Sequence, residues 1–456
     1  MKVSCERYYI YDAVILIMSA FVSGITHIDT IFFIGALLVA LKYVYKIQLS
    51  KKQEYTALYF WTLMLLTIIM PNPYVVYVVL LFMYIYYLPL GRNKIRTTVL
   101  MGIGLIIINV LINGTSIMAI ALSIFYCLPI YLCYNFIKMN SQVECTIKTQ
   151  KRMISLLKLI TWVEFVCIPG QFFEAGSYID LDRISGTFGL LKGEGMTLLM
   201  YSVSFVFFMI WNSTKKSEYL FYFLLNLFCG TIDGCVGLTF LFLFTMALYL
   251  LMSRKISIKY KVGFVIAAVL AILLFIATNA DWVIEDVLSL ADYDYLLNRV
   301  GKLKMYMFTF WDNSRDNIKY ALFGNGIGQY TSRAAMTMTG QYADWYSKLG
   351  LPIYTNVYAK EKVLPWLVSA PYNGGIAAAP FSEYITIFGE FGLIGLLFII
   401  YLIIKLWKKS NKEQKLLIMY WIIICFYNNY LEYGLYVSIF VAIYYILGLV
   451  DKMERN

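Results

Sequence analysis

The sequence predicts an all-α, polytopic membrane protein with about fourteen transmembrane helices, and three observations predict it. First, 61% of the 456 residues are hydrophobic and only 14% are charged, against roughly 25% charged in soluble domains. Second, outside one long polar stretch, almost every polar cluster is followed by an apolar run of about 15 to 22 residues. That length crosses a hydrocarbon core about 30 Å thick at a rise of 1.5 Å per residue. Third, the basic residues alternate from one connection to the next. A large soluble helical protein would need charged helix faces, and these runs have none.

The runs fall at about 8–26, 30–45, 55–71, 74–90, 97–113, 117–137, 153–171, 196–212, 218–232, 235–252, 262–279, 384–404, 416–430 and 434–450. By position the first could be a signal peptide, but the charge alternation needs it as a retained helix. Cytoplasmic connections are enriched in Lys and Arg. With both termini inside, the inner segments and their flanks hold 27 of the 38 Lys and Arg, and acids run the other way. The net charge of +11 is thus a topology signature and gives no argument for nucleic acid. Three regions follow: helices 1–11 over 1–280 with a short outer loop at 172–195, a large outer loop at 281–381, and helices 12–14 over 382–456.

Several chemistries are disfavoured. The eight cysteines include no Cys-x-x-Cys pair and His27 is the single histidine, so neither a disulfide framework nor a His-based zinc site is indicated. The loop acids are not clustered at metal-ligand spacing, and no cofactor is implied. No internal repeat is apparent, which counts against transporters built from duplicated halves.

The candidate residues lie in the two outer loops and the helices beside them. Arg183 stands in Asp180-Leu-Asp-Arg-Ile-Ser-Gly-Thr-Phe-Gly189; its guanidinium offers a planar fork of donors to phosphate oxygens, or simply pairs with Asp180 and Asp182. In the long loop, 281–306 has apolar residues at helical spacing, with Arg299, Lys302 and Lys304 toward its end. Gly324, Gly326 and Gly328 follow a short helical stretch and permit close backbone approach; no strand precedes them, so a nucleotide-binding fold is unsupported. Arg315 and Arg333 complete the loop cations considered for substrate binding. Glu164, mid-span, is either functional or the buried partner of a polar residue such as Asn109 or Asn226. Glu383 and Glu390 bracket the start of the twelfth helix, with Glu383 the better placed to share an outward cavity with the loop cations.

Three elements then coincide: Arg-x-Ser-Gly-Thr-Phe at 183–188, Leu-Phe-Gly-x-Gly-x-Gly at 322–328, and Glu-Phe-Gly-Leu-Ile-Gly at 390–395. In order, spacing and placement they resemble the bacterial O-antigen polymerase and ligase superfamily over roughly residues 160–400. The resemblance implies a GT-C-type glycosyltransferase in the inner membrane that takes undecaprenyl-diphosphate-linked oligosaccharide at the outer face. It implies a chain-length regulator protein as a further partner. It also implies functional arginines in both loops: Arg183 in the first, and Arg299 by position in the second, with Arg315 competing because Arg315 and Gly326 have the Arg-x10-Gly spacing of some polymerases. Glu383 is the expected general base. Ligases of the superfamily carry His-Asn where this chain has Phe381-Ser382, so polymerase is favoured over ligase, with a flippase of lipid-linked oligosaccharide as the reading from another class.

Overall fold

The computed structural model describes residues 2–50, 53–72, 74–87, 97–140, 147–174, 184–189, 193–232, 235–252, 301–340, 344–351 and 381–455, with residues 263 and 266. These residues are all-helical, and no strand occurs among them. Helices α1 to α10 run Lys2–Thr26, Asp29–Leu49, Gln53–Ile68, Tyr74–Tyr87, Thr97–Asn113, Ile117–Asn140, Ile147–Glu174, Gly193–Thr214, Ser217–Thr231 and Val236–Met252. Short helices follow: α11 (Gly301–Met307), α12 (Asn313–Asp316), α13 (Ile318–Phe323), α14 (Arg333–Met338) and α15 (Asp344–Lys348). Three long ones close the chain, α16 (Glu383–Lys409), α17 (Lys412–Ile424) and α18 (Gly434–Arg455). Each expected apolar run coincides with a helix except 262–279, of which only residues 263 and 266 are described, and Asp281 to Val300 lie outside the described residues.

Among the described residues, five helices are long and apolar enough to cross a membrane: α2, α8, α16 and the central parts of α6 and α7. Several shorter apolar helices accompany them. The surface agrees. Leu38, Leu41, Ile107, Leu111, Ile117 and Leu397 are all exposed, a density of apolar surface that water would not tolerate and lipid does. The chain is a helical, membrane-embedded protein.

Packing is centred on α8, whose apolar window is 94% buried, so no face is left for lipid. Phe205 of α8 meets Tyr420 of α17 edge-on at 5.2 Å, and Trp61 of α3 stacks on Tyr445 of α18 at 4.1 Å. Helices α1 and α7 cross where Gly24 and Gly170 touch backbone to backbone, the small-residue contact that lets helices pack without a hydrophobic driving force. Asp12 accepts from Lys42 and from Tyr43 at 3.0 Å. An acid and a base inside the bundle thereby pin α1 to α2.

Candidate functional site

Two turns seated in the bundle hold the candidate loop residues, the second of them against a broken helix. The first turn is the stretch after Arg183. Ile184 to Phe188 are buried, with Gly186–Phe188 a single 3-10 turn. A turn has orphan N–H and C=O groups, and where it is buried these must be satisfied by protein. Glu164 and Gln171, both on α7, do so. Thr187 N–H donates to Glu164 Oε2 at 2.9 Å, and the Thr187 hydroxyl lies 2.5 Å from Glu164 Oε1 and 2.7 Å from the Ile69 carbonyl. The N–H groups of Ser185 and Gly186 donate to Gln171 Oε1 at 3.1 and 3.0 Å. The mid-span acid is therefore the anchor of the loop motif. The polar residues expected as its partners are engaged elsewhere: Asn226 with Thr161, and Asn109 with the second turn.

Glu164→Ala is expected to strand the Thr187 N–H at about 1–3 kcal/mol, the hydroxyl keeping the Ile69 carbonyl, while Glu164→Gln keeps an acceptor and loses less. Thermal unfolding of the detergent-purified variants checks the order, and equal midpoints for wild type and Glu164→Ala would remove the anchor.

The second turn is the glycine run. α13 ends at Phe323, and Gly324 to Gly328 fold against α16 where that helix breaks: Gly392 has φ 64° and ψ −159° inside it. The break takes the Gly389 and Glu390 carbonyls away from the N–H groups four residues on. The turn replaces them. Asn325 N–H and its side-chain amide donate to the Gly389 carbonyl at 2.8 and 2.9 Å, and Gly326 N–H donates to the Glu390 carbonyl at 3.2 Å. Asn109 of α5 completes the joint, its amide donating to the Phe323 and Glu390 carbonyls at 2.8 Å each while its Oδ1 accepts from Ile327 N–H at 2.8 Å. The Glu390 carboxylate receives Gly328 N–H at 2.7 Å and Tyr330 N–H at 3.2 Å. The glycines and Glu390 of the sequence motifs are thus one interlocked structure.

Glu383 opens α16 and is buried; its Oε2 accepts from Leu431 N–H at 3.2 Å. Glu432, in the 3-10 turn Tyr430–Glu432 between α17 and α18, accepts from Arg333 N–H at 2.6 Å. Burial, and then the charges of Glu383 and Glu390, raise the Glu432 carboxyl well above the usual carboxylate range. The Arg333 guanidinium lies 3.2 Å from the centre of the Tyr433 ring, a desolvated cation–π contact. Glu383, Glu390 and Glu432 all line a cavity of about 580 Å³ between α5, α6 and α16. The rest of its wall is mostly apolar, and it includes residues that are also exposed on the bundle surface, Ile103, Ile124 and Tyr131. The cavity is a side pocket with three carboxyl groups along its wall and Arg333 behind them.

Comparison with family models finds no match for this chain, and no curated protein matches it. The site is therefore read from its own geometry.

Of the residues singled out in the sequence, Gly324, Gly326, Gly328, Arg333 and Glu383 come together here. Arg183 and Arg299 lie outside the described residues. Arg315 is exposed on α12. Lys302 is partly buried, donates to the Tyr427 carbonyl, and sits 4.2 Å from the centre of the Tyr427 ring, tying α11 to the turn after α17. Glu432 was not singled out; its only signal is an acid in the three-residue connection between the apolar runs 416–430 and 434–450, and its partner Arg333 is 99 residues away.

Burial lowers the Lys302 ammonium to about 7 from an ordinary 10.5. Because the folded value is the lower one, the unfolded chain binds the extra proton between those limits, so stability rises with pH through that window. Below about 7 both states are protonated and the full cost of burying the charge is present. The thermal midpoint should rise from pH 7 to 9, and Lys302→Met should flatten that rise. An unchanged slope in the variant would assign it to other groups.

Proposed function

We propose that this chain is a GT-C-type glycosyltransferase of about fourteen spans, in a bacterial inner membrane with both termini cytoplasmic. It polymerises a surface polysaccharide, O-antigen or capsule. The growing glycan is transferred from undecaprenyl diphosphate to the terminal sugar of another lipid-linked repeat unit. The observation that carries this reading is the side cavity: apolar walls that reach exposed apolar side chains meet a buried carboxyl group, Glu383, beside two of the three segments that bear the resemblance, 322–328 and 390–395.

The chemistry follows from the groups assigned. Glu383 takes the proton of the acceptor hydroxyl; that oxygen bonds to the anomeric carbon as the bond to the diphosphate breaks. The leaving group is undecaprenyl diphosphate, whose developing charge Arg183 and Arg299 stabilise. The electron pair departs with the diphosphate and no nucleotide is consumed, which suits a site outside the cytoplasm. Arg333, held over Tyr433, supplies positive potential behind Glu383 and Glu432.

The test is a deletion strain analysed for lipid-linked and exported glycan. Single repeats, exported and attached without long chains, are expected. Repeats accumulating on the cytoplasmic leaflet would indicate a flippase, and normal polymer remaining on the carrier a ligase. Arg183→Ala and Arg299→Ala should each abolish chain extension at normal membrane levels, and Arg→Lys should also be poor where a bidentate phosphate contact is needed. Wild-type ladders from both variants would exclude these arginines from the reaction.

A further inference from the structure

The lining of the cavity carries a preference of its own. Glu383, Glu390 and Glu432 border it, and no Lys or Arg among the described residues does. Ser123 of α6 lines it too; that residue is 7% exposed and its Oγ has no hydrogen-bond partner among the described residues. Behind it, against the glycine turn, Thr115 Oγ1 and Asn325 Oδ1 are likewise buried without partners. Thr115 Oγ1 would lie 2.9 Å from a Cβ on Gly326, and Ser123 Oγ would lie 2.8 Å from one on Gly328, so these groups flank one turn. Tyr126 forms part of the wall, with its hydroxyl 2.9 Å from Thr337 Oγ1. An apolar cavity with a few convergent polar groups is the usual form of a small-molecule site. Here those groups are hydroxyl and carboxyl, the acceptors and donors that meet sugar hydroxyls, and apolar walls extend from them to surface residues.

We propose that this part of the cavity binds the sugar headgroup of an amphiphile and is selective for uncharged or amine-bearing sugars over acidic ones such as uronic acids. An anionic sugar would face three carboxyl groups and no lining cation. If they are ionised it meets like charge, and if they are protonated it is desolvated with no counter-charge on the lining. A hydroxyl or ammonium donor finds acceptors in either case. This is selectivity by exclusion of the wrong ligand as much as by contact with the right one. The inference deepens the glycan reading above and rests on it for the class of ligand.

The experiment is equilibrium binding of radiolabelled decyl β-glucoside and decyl β-glucuronide to the full-length protein in phosphatidylcholine nanodiscs, with empty nanodiscs subtracted. The glucoside should bind saturably, and the glucuronide about tenfold more weakly, a difference of about 1.4 kcal/mol, or without saturation. Ser123→Ala should weaken the glucoside severalfold, and Glu432→Gln should narrow the gap between the two ligands. Equal saturable binding of both by the wild type would overturn the proposal, as would no saturable binding of the glucoside. The wild-type comparison decides the matter even where a variant does not fold. Selective binding by a protein whose deletion leaves long chains intact would refute the polymerase reading alone. A chain-extension defect with unselective binding would refute this inference alone.

Discussion

Gly392→Ala is expected to destabilise the protein by about 3–5 kcal/mol and to remove most of its folded yield. Two effects add. With φ 64° and ψ −159°, the residue occupies a region that only glycine visits cheaply, and a side chain there costs on the order of 1–3 kcal/mol. A Cβ would also overlap the Leu322 carbonyl, and overpacking of that kind costs about as much again. Relief by straightening the helix is blocked from the other side, since Gly324, at φ 70°, lies just as close to the Glu390 backbone. Straightening would also strand Asn325, Gly326 and Asn109 from the carbonyls they serve. The control is Gly104→Ala on α5, where a Cβ meets nothing within 4 Å. It should match wild type in elution profile and thermal midpoint in mild detergent. A Gly392→Ala protein that did the same would mean the break does not hold the turn in place.

Glu383→Gln is expected to lower chain extension by two orders of magnitude or more while leaving the fold intact, general-base contributions being about 10²–10⁴-fold. The amide keeps an oxygen for Leu431 N–H and nearly the same volume, so the local contacts survive. What it loses is the capacity to take a proton. Glu390→Gln is the informative comparison, because Glu390 already receives the N–H groups of Gly328 and Tyr330 and acts as a structural acceptor. Its amide variant should lose thermal stability before it loses turnover per folded molecule. The measurement is glycan ladder length against the amount of folded protein in the membrane for each variant. Wild-type ladders from Glu383→Gln would exclude it as the base, and Glu432 would be the next carboxyl group to test.

The two loop anchors show how far local reasoning reaches. Arg-x-Ser-Gly-Thr-Phe and Leu-Phe-Gly-x-Gly-x-Gly were visible as unusual patterns, and Glu164 and Glu390 as acids in apolar surroundings. What joins them was not visible. Asn109 meets the Glu390 carbonyl across 281 residues, and Glu164 meets Thr187 across 23. A turn that reads locally as a surface connection is instead buried against a helix break. The break itself carries only the signature of one glycine among several in α16.

Helix positions and several helix ends were written in the chain. Apolar run length answers to bilayer thickness whatever the neighbours are, and Asn411-x-x-Gln414 closes a capping box from four adjacent residues. Tertiary structure alone decided which polar groups meet. Buried donors and acceptors in a membrane protein are satisfied by whichever partner the packing delivers, and packing joins residues that sequence distance keeps apart. The convergence of Glu383, Glu390 and Glu432 beside Arg333 is of that second kind.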